Sequence, residues 1–212
     1  MAEHKFSMKE AVKFGWGKMK ENLGFFIGLL LVVAAIYFVM GLIQGVAGGD
    51  EPSPTIGAVI IGLLIRAVEM IINMGLIAIA IKFADNTKGE IKDLFSQIHL
   101  FFKFLLSSIC YGLIVVLGLV LLIVPGIIWA IKYQFYGYLI IDKGLGPIQA
   151  IKESGKITYG AKTDLFLFDL VLLGINILGA LALLVGLFAT VPTSMVAYAY
   201  VYRKLQSQAQ PA

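Results

Sequence analysis

Cysteine, histidine and charge are all scarce in this chain of 212 residues, and each scarcity removes a class of chemistry. The lone Cys110 excludes an intramolecular disulfide. It sits inside the apolar run 104–124 with no basic neighbour to turn it into a thiolate nucleophile. His4 and His99 lie far apart and form no metal-ligand spacing such as H-E-x-x-H. No glycine loop leads into a Lys-Ser or Lys-Thr pair, and no G-x-S-x-G elbow occurs, so neither a phosphate cradle nor a serine-hydrolase elbow is expected. The inventory predicts no enzyme, no metal and no cofactor. Charged residues make up 14% of the chain against 59% hydrophobic ones, with a mean hydropathy of +0.91. A soluble domain carries roughly a quarter charged residues. This is the composition of a chain solvated by lipid.

What the chain has instead is long hydrophobic runs. Spanning ~30 Å of hydrocarbon takes about 20 residues, and the runs divide into six such spans at about 23–46, 56–81, 100–118, 119–141, 165–185 and 186–202. The expected fold is therefore all-α, a polytopic transmembrane bundle forming one membrane domain over 1–212. Within the last two hairpins Gly118 and Gly186 are the expected turns, with Pro125-Gly126 an alternative for the first. Only ten residues separate Pro192 from Arg203, too few to cross from a turn, so Pro192 belongs inside the last helix as a kink.

All Lys and Arg except Arg66 and Lys132 fall into four clusters separated by these runs. The loop Gly48 to Pro54 carries acids and no base. By the positive-inside rule both termini and the basic clusters are expected in the cytoplasm, with Asp50 and Glu51 outside. The net charge of +4 is thereby explained without nucleic acid. Tyr133, Tyr136 and Tyr138, and again Tyr198, Tyr200 and Tyr202, approach inner ends as an aromatic belt.

Each hairpin is preceded by a segment of helical periodicity. Met8, Val12, Trp16, Met19 and Leu23 form one stripe, in an expected interfacial helix over 6–22. Ile91, Leu94, Phe95, Ile98, Phe102 and Leu105 form a second, over about 90–99 and beyond. Ile148, Ile151 and Ile157 form a third, over about 147–160, with Pro147 at a first helical position. Such helices either lie in the headgroup plane or pack on the end of the bundle. For the first, Lys9, Lys13, Trp16 and Lys20 are the expected membrane-surface residues, meeting the bilayer and its anionic lipids.

Polar groups inside the spans are the remaining candidates: Arg66, Glu69 and Asn73 in the second, Lys132 in the fourth, Asp169 and Asn176 in the fifth. Charges there are costly and face away from lipid. Arg66 and Glu69, three apart, share a helix face, and Asn73 follows one turn later. Asp169 is expected as a second partner of Arg66. The set forms either a polar seam fixing helix packing or the lining of a solute or proton path.

The stretch Leu122-Ile-Val-Pro-Gly-Ile-Ile-Trp-Ala-Ile-Lys-Tyr-Gln-Phe, with Ile141-Asp142, Ala150-Ile-Lys-Glu-Ser154 and Gly160-Ala-Lys-Thr-Asp-Leu-Phe166, resembles an uncharacterised family of prokaryotic six-helix membrane proteins. It is also similar to the membrane domain of some glycerophosphodiester phosphodiesterases. The likeness runs through 105–205 and implies a cytoplasmic-membrane location and a fold, but no reaction. The expectation is a non-enzymatic scaffold or accessory component, with a protein partner as one possibility; the alternative is a transporter of a small solute or ion that uses the intramembrane charges. A water-accessible cavity reaching those charges distinguishes the second from the first.

Overall fold

A computed structural model describes residues 5–48, 55–182 and 184–209, so His4, Asp50 and Glu51 lie outside the described residues. Every regular element among them is helical. Helix α1 (Met8–Glu21) starts at Ser7, whose hydroxyl oxygen accepts the Glu10 N–H at 3.3 Å. It stops at Asn22, where the backbone N–H returns to the Lys18 and Met19 carbonyls, and α2 (Leu23–Gly48) follows at once. Helix α3 (Ile56–Ala84) is capped by Thr55, which accepts the Ala58 N–H. It ends at Asp85, followed by Asn86 in the left-handed region with φ 59°.

Four stretches are long and apolar enough to cross a membrane: Leu23–Val46, Ile56–Ala84, Ile91–Leu121 and Lys162–Leu181. Their outward faces carry large exposed hydrophobics such as Phe38, Leu63, Leu117 and Leu173. Water would not favour so much apolar surface, and lipid solvates it. The chain is an all-helical membrane protein.

Helix α4 (Phe101–Leu121) ends at an extended Leu122, and α5 (Ile123–Tyr133) begins directly after it. The turn thus lies between the two expected positions. Gly118 is instead a contact residue, because a Cβ there would stand 2.8 Å from the Gly126 Cα. Pro125 sits in the first turn of α5, where a missing N–H costs nothing. At the other hairpin α8 (Lys162–Leu181) reverses through Leu184, with φ 64°, and Gly186 packs on Gly179 before α9 (Leu187–Ala209) starts. Pro192 lies inside α9.

The expected continuous span over 119–141 is broken. Helix α5 stops at Tyr133 and α6 (Tyr136–Lys143) begins after Gln134 and Phe135. The break is served from α7 (Pro147–Ile157), which has Pro147 at its first position. Ser154 Oγ accepts the Phe135 N–H at 3.1 Å and donates to the Lys132 carbonyl at 3.2 Å, and the Thr158 hydroxyl donates to the same carbonyl at 2.9 Å. In lipid a broken helix survives only when its freed backbone groups are met in this way. Helix α7 therefore buries Ala150, Ile151, Ser154 and Ile157 in the bundle.

Two further segments differ from the sequence reading. Residues 90–99 form no continuous helix but two 3-10 turns, Ile91–Phe95 and Ile98–Leu100. Asp93 forces the tighter path: its carboxylate accepts the Glu90 N–H and the Lys82 ammonium, each at 2.7 Å, while the Leu94 backbone lies directly over Gly75 of α3. Helix α1, in turn, buries Ala11, Gly15 and Met19, not the Met8, Val12 and Trp16 ridge. It runs antiparallel to α9: Lys5 and Gln208 exchange hydrogen bonds of 2.9 and 2.8 Å, Phe14 stacks on Tyr200, and Gly15 meets the Thr193 carbonyl and Ala197. Small residues let the two backbones close up, and that contact outranks a larger but isolated apolar stripe.

Helix α9 is the common wall. With α5 to α8, and with residues of α1, α3 and α4 such as Ala11, Met74 and Phe104, it encloses one core that includes Phe135, Phe168 and Tyr202. With α1 to α3 it borders a second, containing Met19, Phe26, Ile72 and Val196.

Candidate functional site: a polar cavity beside a broken helix

Arg66 Nη1 and Glu69 Oε2 of α3 are ion-paired at 2.9 Å, as their spacing implies. They do not sit in a sealed seam. The pair and Asn73 line a cavity of about 530 Å³ bounded by Tyr37 of α2, Phe104 and Ser108 of α4, and Gln134 with Tyr136, Gly137 and Tyr138 at the α5–α6 break. The Arg66 side chain is 77% exposed and that of Glu69 29%. The pair spends one guanidinium N–H and one carboxylate oxygen. Ser108 Oγ and the Tyr136 hydroxyl are bonded at 3.0 Å on the opposite wall. Gln134 accepts a hydrogen bond from the Tyr198 hydroxyl, while its side-chain nitrogen has no partner among the described residues.

Beside Gln134 the cavity gives way to packed aromatics: Phe135, Tyr138, Tyr198 and Tyr202, with ring centroids 5.2 to 5.9 Å apart. Next to Tyr202 stands an ion cluster. Arg203 of α9 holds Asp142 at the end of α6 through two bonds of 2.7 and 2.8 Å, and Asp85 at the end of α3 through two of 2.8 and 2.6 Å. The Tyr202 hydroxyl and the Gln206 amide also donate to Asp142. Burial raises the Asp142 pKa, yet Arg203, Gln206 and Tyr202 together hold its carboxyl below the ordinary range. Arg203 is shifted the other way, as burial is outweighed by its two carboxylates.

The other expected residues are scattered. Asp169 of α8 does not pair with Arg66, whose partner is Glu69, and it has no ion pair among the described residues. Lys132 lies with its ammonium 4.9 Å from the Tyr133 ring, packed on Gly155 of α7. Asn176 Nδ2 donates to Leu172 O and Ser194 Oγ, both at 2.9 Å, and ties α8 to α9. Lys9, Lys13 and Trp16 line a separate groove, and Lys20 lies over the Trp16 ring. Among the described residues no three His, Cys, Asp or Glu side chains come together to hold a metal.

Sequence reasoning missed Gln134, Asp142 and Arg203 as site residues. The signal for Arg203 and Asp142 was present only as membrane-boundary charges of opposite sign.

Residues 109–209 match the model of a family described as a protein of unknown function (DUF975), a stretch that contains the α5–α6 break, α7 and the Asp142–Arg203 contact but neither Arg66 nor Glu69. No curated protein and no solved structure matches the chain.

Proposed function

We propose that the chain is a six-span protein of a prokaryotic cytoplasmic membrane, termini inside, whose polar cavity receives a small polar solute for passage across the bilayer. In this arrangement α4 and the α5–α6 pair make one hairpin and α8 and α9 another. One observation carries the reading: the Arg66–Glu69 pair opens into a cavity that reaches the broken helix. Ionisable groups within spans are costly and mark solute pathways, and interrupted helices supply backbone and side-chain polar groups at such sites. The aromatic layer and the Arg203 cluster act as the inner closure, since they join the ends of α3, α6 and α9 beyond the cavity. Movement at Gln134 and Phe135 releases it.

The test is water access. In a Cys110→Ser background, Asn73→Cys is exposed to an impermeant thiol reagent in right-side-out and inside-out vesicles, with buried Ile72→Cys as the control. The transport reading expects modification of the thiol introduced at Asn73 from the outside, and from the inside once Arg203→Gln has loosened the closure. Protection of that thiol from both sides, in both backgrounds, makes the charges a packing seam and removes the transport reading. The alternative, a membrane-embedded scaffold, is favoured by a different feature: Ile91, Phe95, Ile98 and Phe102 are exposed around the 3-10 turns and offer an apolar strip to a partner.

A further inference from the structure

Helix α1 has a second apolar ridge that the bundle covers only in part: Met8 and Val12 touch the core while Trp16 stays exposed. While Ala11, Gly15 and Met19 face α9, Met8, Val12 and Trp16 recur every fourth residue along another side and line a groove of about 540 Å³ whose far wall is Val171 of α8. The groove is open, and both Trp16 and Val171 are 43% exposed. Because α8 is long and apolar enough to cross the bilayer, what fills the space comes from the bilayer. The rim is not apolar. Lys9 and Lys13 line the same groove, one helical turn apart, and neither has an ion pair among the described residues, in contrast to Lys18, which is bonded to Glu21. Residues at this spacing have Cβ atoms about 5–6 Å apart on one helix face, so two flexible lysine stems can reach one phosphate.

An occupant must therefore have an apolar tail and an anionic head. We infer that the groove between α1 and α8 binds one phospholipid with an anionic headgroup, its acyl chain along Met8, Val12, Trp16 and Val171 and its phosphate between Lys9 and Lys13. Charge complementarity selects the headgroup: a zwitterionic lipid brings a cation of its own to the two lysines and gains little from them, whereas an anionic one gains from both. This site is independent of the polar cavity and of any transport through it. It differs from a helix laid face-down on the membrane, because one face of α1 is already committed to α9 and only the cleft is free.

Trp16 stands in the groove and reports on it directly. The full chain with Trp129→Phe, which leaves Trp16 as its sole tryptophan, is reconstituted in vesicles of constant phosphatidylglycerol and phosphatidylcholine content, with brominated acyl chains placed on one lipid or the other. The expected result is half-quenching of Trp16 at about tenfold lower mole fraction when the bromines are on phosphatidylglycerol. Lys9→Gln with Lys13→Gln should erase that preference while leaving Trp16 emission in unbrominated vesicles unchanged. In the complementary Trp16→Phe chain, Trp129 should be quenched alike by both. Equal quenching of Trp16 by the two lipids overturns the site, as does a preference that survives the double substitution. An equal preference at Trp129 also overturns it, by showing only a general anionic annulus.

Discussion

Replacing Asp142 with Asn keeps the shape of the side chain but takes the charge out of the contact that joins α6 to α9. In the native protein Asp142 accepts both Arg203 Nη1 and Nη2, together with the Tyr202 hydroxyl at 2.8 Å and Gln206 Nε2 at 3.1 Å. Its side chain is 14% exposed, against 41% for Asp85, the other carboxylate on the same guanidinium. Hydrogen bonds to charged groups contribute about 1.5–3 kcal/mol each, and stranding a buried charge costs about 3–5 kcal/mol. Arg203 is not stranded, because Asp85 remains. The expected loss is therefore about 2–3 kcal/mol, which for a chain of this length lowers the melting midpoint by roughly 5–10 °C. Asp85→Asn, at the more exposed partner, should cost about 1 kcal/mol or less.

The pH dependence follows from the direction of the Asp142 shift. Its folded pKa lies below the unfolded value of about 3.9, so its contribution is complete above that pH and is lost as the pH falls through the folded pKa. The gap between wild type and Asp142→Asn should be full at pH 7 and narrow below about pH 4. Thermal unfolding followed by tryptophan fluorescence in one detergent measures both. Equal midpoints at pH 7, or a gap of the same size at about pH 7 and well below about pH 4, would refute the role assigned to this carboxylate.

Three other substitutions probe close contacts. Gly75→Ala drives a methyl group into the Leu94 backbone, which has no side-chain freedom to give way, so a loss of about 2–3 kcal/mol is expected in the same melting assay, with faster proteolysis between Lys88 and Lys92. Ser154→Ala leaves the buried Phe135 N–H without its acceptor at the helix break and should cost about 1–3 kcal/mol, whereas Ser108→Ala, at the cavity wall, should cost less than half as much. Gly15→Ala pushes α1 away from Thr193 and Ala197; crosslinking of cysteines placed at Lys5 and Gln208, efficient in the native chain, should fall severalfold.

The periodic patterns in the sequence mark helical segments, and they mislead where tertiary contacts choose the packed face or the local winding. The stripe of α1 reads as Met8, Val12, Trp16, Met19 and Leu23, and of these Met19 is buried; the closest approach is made by Ala11 and Gly15 beside it, because close backbone contact depends on what α9 presents and not on hydrophobicity alone. In 91–105 the three-and-four spacing is real, but it does not reveal that Lys82 and the Glu90 N–H draw Asp93 inward and tighten the backbone into 3-10 turns. The break at Gln134 has no proline or glycine to announce it. It exists because Ser154 and Thr158, about twenty residues away, replace the hydrogen bonds it loses.

What the sequence by itself determined is local. Long uncharged runs have no alternative to a helix in lipid, three-residue spacing puts Glu69 on the face of Arg66, and Pro147 starts α7 because its missing N–H belongs at a first turn. What only the tertiary structure decided is which of the polar groups meet. Arg203 and Asp85 are 118 residues apart yet form one salt bridge, while Asp169 and Arg66, both placed inside spans, never pair. A buried charge is stabilised by whichever partner the packing brings within about 3 Å, and that partner is set by how the helices stack. The same packing left an opening at Arg66, where the sequence read first as a sealed seam and second as a solute path.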